Sequence, residues 1–155
     1  MTPETARRTS FGYRFAMIHR IDAALVREPL AQIGITIAQI PFLMELLYRA
    51  DPLTQSDLSS ALAIDPAATA RTLDQLERRG YIAREVNPEN RRQKLVTATA
   101  NAEEMHDDLK RILLGASNAL VEEFTEEEKA LLLKLLDRII AKGRTMKKAM
   151  EENRT

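Results

Sequence analysis

The chain has 155 residues, equal numbers (23 each) of basic and acidic side chains, and no cysteine or tryptophan. This length is typical of a single domain with its own core, and 45% apolar residues argue against wholesale disorder. The lack of cysteine excludes a disulfide framework, a thiolate metal site and a thiol redox switch. With neither a membrane-length apolar run nor a signal-peptide pattern, we expect a soluble, cytoplasmic protein without a membrane partner.

Both ends of the chain are predicted to form long amphipathic helices. The first runs from Ser10 to Glu28, is closed by Pro29 and Gly34, and carries two apolar stripes. The last two begin at Thr99 and, with capping-box spacing, at Thr125. The stripe of the first of these holds Met105, Leu109, Ile112, Leu113, Ala116, Leu120 and Phe124; the second carries Leu132, Leu135, Leu136, Ile139 and Ile140.

These apolar faces are wider than one neighbouring helix can cover. We therefore predict that residues 10–34 and 100–149 form the interface of a homodimer. A monomeric helical bundle is the alternative.

Between these ends, three shorter helices are predicted. Thr36 caps a helix to Tyr48, in which Pro41 should give a kink or a tightened first turn. A capping box at Thr54–Asp57 begins the next helix, which lasts to Leu62. A further helix begins at Asp65-Pro66, has Thr69, Leu73 and Leu76 inward, and ends at Gly80.

The remaining pattern is that of a β-hairpin. Residues alternate from Tyr81 to Val86 and again from Arg91 to Thr99, around turn residues at Asn87–Asn90. The order of the middle segment, residues 36–99, is thus helix, tight turn, helix and hairpin.

The segment Leu53–Arg84, followed by Asn87–Arg92, resembles the MarR family of bacterial and archaeal transcriptional regulators. Its strongest local matches are Leu76–Arg84 and the hairpin tip, and with the flanking helices it covers about residues 10–148. The resemblance implies one MarR-like domain over residues 1–155, mainly α with a small β-hairpin wing. Residues 36–99 would be its winged helix-turn-helix lobe, and helices from both termini would form the dimerisation region.

The resemblance also implies a function. A homodimer would bind a pseudo-palindromic operator in double-stranded DNA as a transcriptional regulator, expected to be a repressor. A small phenolic or lipophilic effector would bind where the dimer helices meet the DNA-binding lobe. The alternative is a dimeric protein-interaction adaptor that has the same fold but weakened DNA binding. It is supported by the alanines Ala67, Ala68 and Ala70, because the family favours hydroxyl side chains at positions 68 and 70.

The candidate DNA-binding residues lie in three places. On the recognition helix, Arg71 could bind guanine and Gln75 could read adenine. Two arginines at the hairpin tip could enter the minor groove. The full set is Thr54, Gln55, Ser56, Ala67, Ala68, Arg71, Thr72, Gln75, Arg91 and Arg92. In the family an acidic residue orients the second wing arginine; here Asn90 stands at that position, and Glu89 could substitute for it.

Charge is unevenly distributed along the chain. Residues 66–94 hold seven basic and four acidic side chains, a net charge of +3, whereas residues 100–128 hold two and nine, a net charge of −7. The net positive charge of residues 66–94 is suited to contact with the phosphates of DNA. For the basic tail, Lys142, Arg144, Lys147 and Lys148, we favour a solvated helix end over phosphate contacts.

No enzymatic pattern is present. There are two histidines, His19 and His106, and no Gly-rich phosphate loop or hydrolase motif. The sequence His106-Asp107-Asp108 puts its side chains on different helix faces, which disfavours a metal site. We expect no catalytic residue, no metal and no cofactor.

Overall fold

The computed structural model describes residues 9–49 and 51–153; the expectation about a signal peptide concerns residues 1–8, which lie outside these ranges. The described chain is mainly helical with one small sheet, as predicted. Its elements are α1 (Phe11–Gln32), a 3-10 turn (Ile37–Gln39), α2 (Ile40–Tyr48), β1 (Leu53–Thr54), α3 (Gln55–Leu62), α4 (Pro66–Arg78), β2 (Ile82–Val86), β3 (Lys94–Ala98), α5 (Ala100–Ala119) and α6 (Glu126–Glu152).

The first helix does not end at Pro29 as predicted. Pro29 lies inside α1, which continues to Gln32. Val26 and Leu30, on either side of the proline, are both buried in the core, and this burial outweighs the local cost of the missing amide. The helix closes at Gly34, whose φ of 74° is a left-handed conformation that glycine adopts without strain.

The segment before α2 confirms the tightened first turn that Pro41 predicted. The 3-10 turn runs directly into α2, with Pro41 in its first turn. The Thr36 amide donates to Oε1 of Gln39 at 3.0 Å. Because Gln39 is buried, this bond fixes where the chain enters the core.

Two short helices form the predicted pair. α3 begins at the predicted capping box: the Asp57 amide donates to the Thr54 hydroxyl at 3.1 Å, and the Thr54 amide donates to the Asp57 carboxylate at 2.9 Å. α3 ends at Leu62, where Ala63 takes a left-handed φ of 55°. This tight turn leads into α4, which Asp65 caps and Gly80 follows with φ 74°, as predicted.

The sheet has one strand more than predicted. β2 and β3 form the antiparallel hairpin, and β1 pairs with the other edge of β3, so the order is β1-β3-β2. β1 has only two residues, Leu53 and Thr54, too few for an alternating pattern to be recognised. It ties the start of α3 to the hairpin.

The core joins this middle segment to α1 and α5. Its largest fully buried side chains are Leu30, Phe42, Leu43, Leu58, Leu73, Leu76 and Leu109.

α5 begins at Thr99 as predicted, but the Thr99 hydroxyl does not cap it and instead donates to the Gly80 carbonyl at 2.6 Å. The predicted stripe of α5 is too long, because the helix ends at Ala119 and both Leu120 and Phe124 are exposed.

The last helix is barely packed within the single chain. None of the residues of α6 is buried. Its exposed large apolar side chains are Leu131, Leu133, Leu135, Leu136, Ile139, Ile140, Met146 and Met150, and those of α1 are Phe11, Tyr13, Phe15, Ile18, Ile21 and Leu25.

No single helix in residues 9–49 and 51–153 is both long and apolar enough to span a membrane. Phe11–Gln32 and Ile37–Tyr48 meet that test only as a pair bent by 94°, by length and composition alone. Several apolar side chains of this pair, Leu30, Phe42 and Leu43 among them, belong to the core.

Candidate nucleic-acid interface

The candidate recognition surface lies on α4. Thr69, Leu73 and Leu76 are fully buried and hold one side of this helix in the core, as predicted. The opposite side carries the predicted contact residues: Ala67, Arg71 and Gln75 are exposed, and Ala68 and Thr72 are half-buried. In the described chain Arg71 forms no ion pair, so its guanidinium is available to a ligand.

A buried hydroxyl network sets the angle between α3 and α4. The Ser59 hydroxyl donates to the Ile64 carbonyl at 2.7 Å, and the Thr69 hydroxyl lies 3.3 Å from that of Ser59 and 3.0 Å from the Asp65 carbonyl. The Asp65 carboxylate accepts from the Ala68 amide at 2.9 Å. The Asp65 cap was predicted from sequence, whereas the role of Ser59 was not, because it becomes visible only once the two helices cross.

An ion-pair cluster joins the recognition helix to the hairpin. The Arg84 guanidinium, on β2, lies 2.5 Å from carboxylate oxygens of both Asp74 and Glu77 on α4. The hydrogen bond from Arg84 lowers the pKa of Glu77 below its ordinary value, and the same bond raises the pKa of Arg84. The single positive charge of Arg84 thus offsets one of the two negative charges that Asp74 and Glu77 place on α4. The cluster was not predicted from sequence, since the three residues are separated along the chain.

The hairpin tip presents Arg91 and Arg92 to solvent, as predicted. The Asn87 amide donates to the Gln93 carbonyl at 3.0 Å, and the Gln93 amide donates to the Asn90 carbonyl at 2.9 Å. These bonds close a compact turn. Both arginines therefore project from an ordered backbone.

Asn90 orients the backbone of the tip. Its side-chain oxygen accepts from the Arg92 amide at 3.2 Å. The Glu89 amide is bound by the Asn87 side chain at 3.0 Å, and no described contact joins the Glu89 carboxylate to Arg92. Glu89 is therefore not seen to substitute for the acidic partner, and within the described ranges the Arg92 guanidinium has no ion pair.

The third group of candidates lies at the start of α3. The Thr54 hydroxyl donates to the Asp57 carboxylate at 2.7 Å, and this bond is the main cause that lowers the pKa of Asp57. Gln55 is half-buried and Ser56 is exposed. Since capping occupies the Thr54 hydroxyl, the group best placed for an external partner is Ser56.

One groove of about 1400 Å³ brings the start of α3 together with the hairpin. Thr54, Gln55 and Ser56 line one side, and Arg92, Gln93 and Lys94 of the hairpin line another. The end of α6 lies along the same groove through Arg144, Lys147 and Lys148. The candidate contact residues Arg71 and Gln75 are not part of its lining.

No group of three or more His, Cys, Asp or Glu side chains in the described ranges could hold a metal ion. His106 instead packs edge-on against Tyr48, with 5.4 Å between ring centroids, and its buried Nε2 has no hydrogen-bond partner. The adjacent carboxylates Asp107 and Asp108 are exposed.

Comparison with known proteins agrees with this geometry. The model of the MarR family matches residues 35–94. HTH-type transcriptional regulator YdgJ of Bacillus subtilis (strain 168) is 36% identical over 97 residues, 63% of this chain and 59% of that protein. The chain thus spans less than two thirds of that relative's length.

Two solved structures match over most of their length. A crystal structure of MarR is 28% identical with a TM-score of 0.80, over 90% of this chain and 95% of that one. A crystal structure of an S. aureus MepR–DNA complex is 26% identical with a TM-score of 0.78, over 86% of this chain and 98% of that one.

A capped helix pair, a hairpin beside its second helix and a third strand closing the sheet define a winged helix-turn-helix protein. The hairpin, residues 82–98, is accordingly called the wing below. The crystal structure of MarR covers 90% of this chain, a share too large to leave out either of the long helices α5 and α6 that follow the wing. The chain is thus similar to the MarR family: the family model matches its DNA-binding lobe, and a solved MarR structure shares its fold.

Proposed function

We propose that the protein is a transcriptional regulator that binds double-stranded DNA through α4 and the wing. The observation that carries the proposal is the exposed, unpaired Arg71 on a helix whose other face is locked into the core. An arginine so placed suits bidentate contact with guanine in the major groove. Arg91 and Arg92 at the wing tip suit the minor groove.

The proposal includes a homodimer. Most large apolar side chains of α6, such as Leu136 and Ile139, are exposed in the single chain, and a second copy would cover them. Two recognition helices one helical turn of DNA apart would then bind a pseudo-palindromic operator. We expect the bound dimer to repress transcription, and a regulator of this kind acts in the cytoplasm, where bacterial and archaeal DNA lies.

The effector that the family resemblance implies stays a prediction. The groove beside the start of α3 is a cavity in which one terminal helix, α6, meets the DNA-binding lobe. Many of its lining side chains are charged, including Arg92, Lys94 and Arg144. Ile64, Pro66 and Val96 line it as well, so the groove offers both charged and apolar contacts to a ligand.

The test is a fluorescence anisotropy titration with a random-sequence duplex at several salt concentrations. A DNA-binding regulator should bind with an affinity that falls steeply and linearly on a log–log plot. Selection of bound genomic fragments would then identify the operator. Absence of salt-dependent binding to any duplex would contradict the proposal.

The alternative of a protein-interaction adaptor is supported by the alanines on α4: Ala67, Ala68 and Ala70 offer no hydroxyl to a phosphate or a base. Small side chains nevertheless allow the helix to approach the groove closely, and their methyl groups can contact thymine. The same titration separates the two functions, because an adaptor should give no steep salt dependence.

A further inference from the structure

The end of α6 contributes a second set of cations to the surface around the wing. Arg144, Lys147 and Lys148, called the α6 basic end, lie along the groove that the start of α3 and the wing also line. From sequence alone we favour a solvated helix end over phosphate contacts for these residues. The fold places this end, still exposed at Arg144 and Lys148, beside residues proposed to contact DNA.

The groove carries a net positive charge. Its basic lining residues are Arg84, Arg92, Lys94, Arg144, Lys147 and Lys148, and its acidic ones are Asp65, Glu151 and Glu152. Arg84 is held by Asp74 and Glu77, and Asp65 is engaged in capping α4. The cations that remain for a ligand are therefore those of the wing and of the α6 basic end.

The α6 basic end is only loosely neutralised by its own helix. Nζ of Lys147 is 3.7 Å from Glu151 and Nζ of Lys148 is 3.9 Å from Glu152, both at i,i+4 spacing. Exposed pairs of this kind are weak because water screens them, so a phosphate can replace them. Arg144 forms no ion pair within the described chain.

Dimer formation would leave these cations accessible. The exposed apolar side chains Leu136, Ile139 and Met146 recur at intervals of three and seven residues and so share one side of α6. Arg144 and Lys148 are displaced from the middle of that stripe by about 120° and 160° at 100° per residue. Covering the stripe with a second copy therefore does not require covering them.

We infer that the α6 basic end binds backbone phosphates of the DNA next to those contacted by the start of α3 and the wing. It thereby extends the footprint without adding sequence information. This inference rests on the proposed DNA binding. Its ligand chemistry is the phosphate group, which DNA or free inorganic phosphate could supply, and the inference commits to DNA.

The test compares two variants of the full chain that remove the same charges from the same helix. Arg144→Gln/Lys148→Gln removes cations of the groove, and Lys134→Gln/Arg138→Gln removes exposed cations that do not line it. Each is titrated with a random-sequence duplex across a range of salt concentrations. Circular dichroism and sedimentation check that both remain folded with the wild-type oligomeric state.

For the groove variant, the slope of log affinity against log salt concentration should be smaller by about 0.9 for each phosphate that a protomer no longer neutralises. The control should keep the wild-type slope. Equal slopes for both variants would overturn the inference. So would calorimetric binding of inorganic phosphate that the groove variant abolishes without any change in its DNA slope. If the wild type itself bound no duplex, the proposed function would fail first, which distinguishes the two failures.

Discussion

At the scale of single residues, Arg71 and Arg92 are expected to differ in what they contribute to DNA binding. Arg71 lies on the outer face of α4, where it can reach base edges. Arg71→Ala should therefore weaken binding to the operator by about 1–3 kcal/mol and flatten discrimination among sites. Competition titrations with the operator and single-base variants measure both effects.

Arg92, at the wing tip, should contribute affinity more than specificity. Arg92→Ala should weaken binding to all duplexes evenly and reduce the salt slope by about one per protomer. The two alanine variants are each other's controls. If Arg71→Ala left discrimination intact while Arg92→Ala abolished it, the two roles would be reversed.

Asn90 gives a second prediction at this scale. It holds the Arg92 amide but supplies no charge to the guanidinium. Asn90→Asp keeps an acceptor for that amide and adds a carboxylate able to orient the guanidinium, so binding should become tighter. Affinity for random duplex and for the operator is the measurement. If the variant bound both duplexes more weakly, repulsion between the new carboxylate and the DNA phosphates would outweigh its effect on the orientation of the Arg92 guanidinium.

Glu77 makes the stability of the lobe dependent on pH. Arg84 holds the pKa of Glu77 below its ordinary 4.5, so the carboxylate stabilises the fold above that pH and loses this effect as pH falls through the lowered pKa. Glu77→Gln should therefore lower the melting temperature near neutral pH and make much less difference in acid.

Thermal unfolding at neutral pH and at successively lower pH values in acid measures this difference. Because Glu77 is 39% exposed, water screens the pair and the change should be modest. Glu85→Gln, at an exposed site on the same strand as Arg84, is the matched control. An equal loss of stability at neutral pH and in acid would show that shape, and not charge, is what Glu77 provides.

At the scale of elements, the start of the recognition helix depends on one side chain. Asp65 accepts from the Ala68 amide and so caps α4. Asp65→Ala should lower the free energy of unfolding by about 1 kcal/mol, and Asp65→Ser should restore most of it. Urea denaturation of the three proteins measures the effect. A serine variant as unstable as alanine would contradict the capping role.

The elements that could be predicted from sequence are those with local signals. The boxes at Thr54 and Thr125, the cap at Asp65 and the turn at Gly80 all depend on neighbouring residues, and the structure confirms each of them. Because the hairpin alternates over both strands, it could be predicted as well.

What could not be predicted depends on residues far apart in the chain. The two-residue strand at Leu53 forms only because β3 offers it an edge. Pro29 is accepted inside α1 because the surrounding core holds that helix. The ion pairs of Arg84 and the meeting of the α6 basic end with the wing follow from tertiary contacts that no local pattern records.

At the scale of the whole molecule, folding and dimer formation should be coupled. Leu136 and Ile139 are 38% and 45% exposed in the single chain, within an apolar stripe that continues to Met150. Leu136→Asp should therefore abolish the soluble dimer, because the aspartate would be buried without a partner. Sedimentation and circular dichroism measure the oligomeric state and the helix content.

The matched control is Lys134→Asp, since Lys134 lies on the opposite side of α6 from Leu136. It should leave a folded dimer. A Leu136→Asp chain that stays folded as a monomer would show that α6 is not the interface.

The hydrogen bond between the Thr99 hydroxyl and the Gly80 carbonyl connects the start of α5 to the loop that follows α4. A movement of α5 is therefore transmitted to α4. α5 has 20 residues and is therefore an arm of about 30 Å. If α5 rotated by about 10° about its C-terminal end, the recognition helix at its N-terminal end would move by about 5 Å. This exceeds the roughly 3.4 Å between successive base pairs. In a dimer, a tilt of about 10° in both arms would therefore be enough to move the two recognition helices out of register with successive major grooves.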